Sequence, residues 1–122
     1  MMKAPTKTKG DGEIVKRVRA ALQQATGVKE KKMFGSIAFL VHGKMCVTVR
    51  ATRIMCRIDP AFHDMATERK GCRTVVMGGR QYQGYVYVDC EAVRTAKALN
   101  YWVKLALDYN RARNKIGGRK KQ

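Results

Sequence analysis

The sequence predicts a two-layer α+β sandwich, ordered α-βββ-α-ββ-α, with an antiparallel sheet carrying its helices on one face. Apolar residues recur at helical spacing near the start of the chain and again after residue 95. Between these ends lie short β-branched and aromatic runs with alternating character, punctuated by tight-turn residues. The length of 122 residues matches one domain with one core.

In the first helix, Ile14, Val15, Val18, Leu22 and Ala25 form the apolar stripe, Lys16, Arg17 and Arg19 lie on the other side, and Gly27 sits where a helix C′ residue is expected. From Lys32 to Ile58 three strands are expected, broken at Gly35, His42-Gly43 and Ala51-Thr52. A two-residue turn at Ala51-Thr52 sets Arg50 opposite Arg53, Val49 opposite Ile54, Thr48 opposite Met55, Val47 opposite Cys56 and Cys46 opposite Arg57. Val47, Val49, Ile54, Cys56 and Ile58 then line the core, and Cys46, Arg50, Arg53 and Arg57 share the outer face with Thr48 and Met55. In the preceding hairpin, a two-residue turn at His42-Gly43 buries Ala38 and Leu40, whereas a three-residue loop including Lys44 buries Ile37, Phe39 and Val41. The larger apolar area of the second set favours the three-residue loop.

Asp59 and Pro60 have the residue types of an N-cap and a first helical position, so a short helix starts there and turns Phe62 and either Met65 or Ala66 inward. Arg73 to Met77 and Gly84 to Val88 read as two further strands joined through Gly78-Gly79. The last helix, from about Thr95, presents Ala98, Leu99, Trp102, Leu105, Ala106 and Tyr109 on one face. Met33, Phe34, Val86 and Trp102 join the set that holds the fold.

Charge is the main functional signal. Lys and Arg number 26 against 9 Asp and Glu, a net charge of +17 with pI near 10.2, which points to a polyanionic partner. Residues 1–33 carry nine basic and three acidic side chains, and residues 111–122 carry six basic and none acidic. The expected organisation is a solvated basic segment over 1–12, a folded domain over 13–113 and a solvated basic tail over 114–122. Like charges opposed across strands, as in Arg50 and Arg53, cost a few tenths of a kcal/mol, which an anion docked between them relieves. The candidate nucleic-acid contacts are Lys31, Lys32, Arg50, Arg53, Arg57, Arg111, Arg113, Lys115, Arg119, Lys120 and Lys121.

The signals for catalysis are weak. His42 falls in a turn and His63 in a polar-faced short helix, both expected to be exposed, and neither accompanies a nucleophile and an acid in a recognisable pattern. Cys46, Cys56, Cys72 and Cys90 are spaced by 10, 16 and 18 residues, unlike a zinc or redox motif. Free thiols are therefore expected, with Cys46 beside Arg57 and Cys72 as the candidates for a reactive one. Gly78-Gly79-Arg80 lacks the spacing of a phosphate loop and reads as a turn. No enzyme activity, metal or cofactor is expected. No apolar run reaches membrane-spanning length, and the polar opening residues do not form a secretory signal, so a cytoplasmic protein without membrane contact is expected. The partner classes left are DNA or RNA, a transcription-associated protein, and a second copy in a homodimer with the charge serving solubility.

Lys31-Lys-Met-Phe-Gly-Ser-Ile-Ala-Phe-Leu-Val41, followed by His42-Gly43-Lys44-Met45, resembles the opening signature of TfoX N-terminal domain proteins. Met55-Cys56-Arg57-Ile58, Gly84-Tyr85-Val86-Tyr87-Val88 and Tyr101-Trp102-Val103 resemble later landmarks of that family in the same order, so the likeness spans about residues 14–113. Ser36 stands where the family more often has a second glycine. The resemblance implies an α+β domain of the kind that, in regulators of bacterial natural competence, precedes a helical C-terminal domain. It implies a free-standing, non-enzymatic regulatory or adaptor protein.

Overall fold

The structure is a computed structural model that describes residues 13–33, 35–50 and 52–121, with side chains through residue 113. The segment 1–12, Phe34 and the side chains of Lys115, Arg119, Lys120 and Lys121 lie outside the described residues. Helix α1 (13–21) leads into six strands, β1 (Val28–Met33), β2 (Ser36–Val41), β3 (Lys44–Arg50), β4 (Arg53–Arg57), β5 (Cys72–Met77) and β6 (Arg80–Asp89). A 3-10 turn (Pro60–Phe62) and helix α2 (His63–Thr67) join β4 to β5, and a second 3-10 turn (Cys90–Val93) precedes helix α3 (Ala96–Lys121). The single sheet is antiparallel throughout, in the order β1-β2-β3-β4-β6-β5.

The α+β class and the antiparallel sheet agree with the expectation, but the sheet has one more strand than the sequence suggests. Strand β1, Val-Lys-Glu-Lys-Lys-Met, pairs with β2 along its whole length and leaves all but Val28 exposed. Its charges hide it from a hydrophobic pattern, and the same charges suit an edge strand, whose free backbone groups lysine protects from further pairing.

The β2–β3 hairpin corrects the predicted loop while keeping the predicted core. Its turn is the two-residue His42-Gly43, with both residues at positive φ and Val41 opposite Lys44. Between Leu40↔Met45 and Phe39↔Val47 the register shifts, leaving Cys46 as the extra residue on β3. The bulge restores parity, so Phe39 and Val41 are buried in the core and Ile37 packs against it. It also turns Cys46 inward, to 1% exposure, rather than onto the outer face beside Arg57. The β3–β4 register is as expected from Val47↔Cys56 to Arg50↔Arg53.

The core lies between one sheet face and the helices. Ile14, Val18 and Leu22 of the first segment and Leu99, Trp102, Val103 and Ala106 of α3 close over Phe39, Val47, Ile54 and Val86. Arg17 ties α1 to the start of α3, its Nη2 donating to the carbonyls of Val93 (2.6 Å), Arg94 (3.1 Å) and Thr95 (3.2 Å). Thr95 Oγ1 caps α3 by accepting from the Ala98 N–H at 3.1 Å. Asp59 caps the first 3-10 turn through Ala61 N–H at 2.9 Å, with Pro60 at its first position as expected. Ala66 rather than Met65 turns inward, and Phe62 stays exposed, because so short a helix offers the core only one face. At the other end, α3 keeps helical backbone through 114–121, where the sequence suggests a frayed tail.

His63 is buried rather than exposed. Its Nδ1 accepts from the Gly84 N–H at 2.9 Å, and a backbone N–H only donates, so the ring hydrogen sits on Nε2 and faces Thr74 Oγ1 at 2.9 Å. The imidazole thus pins α2 to an irregular stretch of β6, where the partner of β5 jumps from Val86 to Tyr82 between Thr74 and Val75.

Candidate functional site

Among the described residues, helices cover one face of the sheet and leave the other open. Strand alternation and the β3 bulge place Met33 of β1, Ser36 and Ala38 of β2, and Met45, Thr48 and Arg50 of β3 around one groove on this open face. Arg53 and Met55 of β4, Tyr87 of β6 and Met77 of β5 complete its walls, enclosing about 420 Å³. Every strand contributes, including both edges, so the sheet curves around the groove. Four of the chain's seven methionines line it. Met33, expected to hold the fold, is 42% exposed here, and Met77 is 50% exposed.

The groove's charge is one-sided. Among the described residues no acidic one lines it, Arg50 is exposed at its end, and Lys31 points to the same face from opposite Ala38. Arg53 lies with its guanidinium carbon 3.7 Å from the Tyr87 ring centroid, a stacked arrangement that holds the cation in place and covers that ring face. Asp89, opposite Arg53 in register, is bound by Arg73 at 3.0 Å.

The remaining predicted cations are dispersed. Arg57 separates from Arg50 and Arg53: it packs 4.3 Å from the Tyr85 ring and 4.8 Å from the Tyr109 ring, and its Nη1 points at the carbonyls of Ile58 and Gly84, each at 3.3 Å. Gly84 has no side chain at the end of β4, so the guanidinium folds over the backbone there and joins the sheet to α3. Lys32 falls by register on the side opposite Lys31. Arg111 pairs with Asp108 at 3.7 Å, and Arg113 lies 5.6 Å from the Tyr109 ring. Sequence reasoning finds Arg50 and Arg53 but misses the methionines, because no sequence pattern joins residues 33, 45, 55 and 77. The available signal is Met55, which shares the outer face of its hairpin with Arg50 and Arg53.

The family model of the TfoX N-terminal domain matches residues 20–109. The chain belongs to the TfoX N-terminal domain family. No curated protein and no solved structure matches it significantly. In this TfoX N-terminal domain the described residues hold no cluster of three His, Cys, Asp or Glu able to bind a metal ion, and no helix long and apolar enough to cross a membrane.

The cysteines of this TfoX N-terminal domain are free thiols, three of them buried. Burial pushes the Cys46 thiol up to about 12 and the Cys72 thiol up to about 11, and it raises Cys56 as well. At pH 8 the thiolate fraction of Cys72 is then about one in a thousand and that of Cys46 smaller still. In a native titration with an aromatic disulfide reagent, we expect the half-buried Cys90 to react first and the other three only on unfolding. Rapid reaction at Cys46 or Cys72 would restore a redox role for them.

Proposed function

We propose that this TfoX N-terminal domain is a non-enzymatic regulatory module that binds nucleic acid through its surplus of positive charge. The observation that carries the reading is the last stretch of α3: from residue 111 to Lys121 it bears Arg111, Arg113, Lys115, Arg119, Lys120 and Lys121, with no carboxylate, on continuous helical backbone. Little of the surplus is compensated internally. The ion pairs among the described residues engage only Glu30, Asp89 and Asp108 as acids. A dense cationic helix exchanges the counterions of several phosphates at once, which gives salt-steep binding with little dependence on base sequence. Arg50, Arg53 and Lys31 add positive potential on the open sheet face, whereas Arg57 is spent on the junction between sheet and α3.

The test is titration of the full chain with labelled duplex DNA and single-stranded RNA over a salt series. A variant carrying Gln at Arg111, Arg113, Lys115, Arg119, Lys120 and Lys121 should bind at least tenfold more weakly near 0.1 M salt, with the log–log salt slope on duplex DNA shallower by roughly 0.9 for each phosphate no longer neutralised. A variant with Arg50→Gln and Arg53→Gln should change the slope less. An unchanged slope in the helix variant, or no binding by the parent chain, would sink this reading.

A further inference from the structure

The open groove combines two properties that nucleic-acid binding does not use together. Its floor is soft and apolar, because methionine thioethers on unbranched stems adapt their shape to what they meet. Its border is cationic, with Arg50, Arg53 and Lys31; among the described residues no acid lines it, and Asp89 beside Arg53 is held by Arg73. We infer that the groove is a docking site for an acidic amphipathic helix of a partner protein, with the helix's apolar stripe on the methionines and its flanking carboxylates against Arg50, Arg53 and Lys31.

Charge complementarity selects that occupant. A second copy of this chain, at +17, brings like charge to a groove whose described lining offers no carboxylate to receive it. Unstacked bases need open aromatic faces, and Tyr87, the sole aromatic side chain lining the groove among the described residues, has a ring face occupied by the Arg53 guanidinium. A helix also fits the dimensions. The edge strands that contribute Met33 and Met77 are five strand steps apart, roughly 24 Å if laid flat, and about 16 helical residues cover that distance. An apolar stripe at i, i+3, i+4 and i+7, continued at i+11 and i+14, spans about 21 Å and so runs most of the way from one edge strand to the other. The inference stands apart from nucleic-acid binding, which is proposed mainly for α3, with the open face adding only positive potential.

The test uses the full chain and three fluorescent peptides of about 16 residues. One carries leucines at i, i+3, i+4, i+7, i+11 and i+14 among glutamates, one has the same composition scrambled, and one has lysines for the glutamates. The leucine–glutamate helix should bind at least about tenfold more tightly than either of the others, and Met33→Gln with Met77→Gln should remove that advantage. Both methionines are half-exposed, so these substitutions leave the core untouched. Methyl resonances of labelled methionine give a second readout: Met33, Met45, Met55 and Met77 should shift on peptide addition, while Met65, exposed on α2 at 54%, should not. Equal binding of the scrambled peptide, unmoved groove methyls, or groove shifts produced by raising protein concentration alone would overturn the inference. Duplex DNA titrated against the same samples separates the two ideas. DNA binding without peptide binding rejects the groove alone, and the reverse rejects the α3 reading alone.

Discussion

Replacing Gly84 with valine should destabilise the domain by about 4 kcal/mol and lower the urea midpoint accordingly. Gly84 holds φ at +87°, where a β-branched residue is strained by roughly 1–2 kcal/mol. A Cβ there also collides with the Arg57 guanidinium and lies 3.0 Å from the Ile58 carbonyl oxygen and 3.1 Å from Pro60 Cγ. The guanidinium end of Arg57 can swing away, giving up its hydrogen bonds to the Ile58 and Gly84 carbonyls and to the Tyr109 hydroxyl. The Ile58 backbone cannot, because its N–H donates to the Gly84 carbonyl at 2.8 Å and its side chain is fully buried. Any shift of Gly84 also disturbs its N–H bond to His63. Gly43→Val is the control: φ is +80° there too, but a Cβ meets nothing within 4 Å. Its cost should be the backbone strain alone, about 1–2 kcal/mol. Equal losses in the two variants would show that the junction of Arg57, His63 and Gly84 carries no stability.

Phe39→Ala should cost about 3–5 kcal/mol, the range for deleting a fully buried aromatic side chain. Phe39 is the largest of the fully buried side chains and sits at the β2–β3 bulge, opposite Glu30 on one side and Val47 on the other. Neighbours on a paired sheet relax little, so the cavity should persist. Met33→Ala on the opposite face should stay within about 0.5 kcal/mol, since that side chain is already 42% exposed. Urea unfolding of the pair tests which face of the sheet is the core. Similar losses would mean that the open face is packed in solution.

The bulge explains why the sequence is only partly readable at this hairpin. Hydrophobic area correctly selects Ile37, Phe39 and Val41 as the inward set, but strict alternation then demands a three-residue loop. The structure uses a two-residue turn and corrects the parity with an extra residue at Cys46. A local pattern cannot distinguish these solutions, since both bury the same side chains on β2. His63 has a similar cause: a polar residue in a short helix reads as exposed unless its two hydrogen-bond partners, 11 and 21 residues away, are known to converge on it. In the candidate site, Arg50 and Arg53 are legible because a two-residue turn fixes their pairing locally. The ring and carbonyl contacts of Arg57 are not, because they come from β6 and α3.

Spacing within a few residues, together with composition, suffices for the α+β class, the helix and strand periodicities, the β3–β4 register and the basic character of the surface. Other features exist only once the layers assemble: a charged edge strand joins the sheet, α3 leaves one sheet face uncovered, and four distant methionines share a groove on it. Strand order and layer packing bring those residues together, and neither is encoded in any short stretch of the chain.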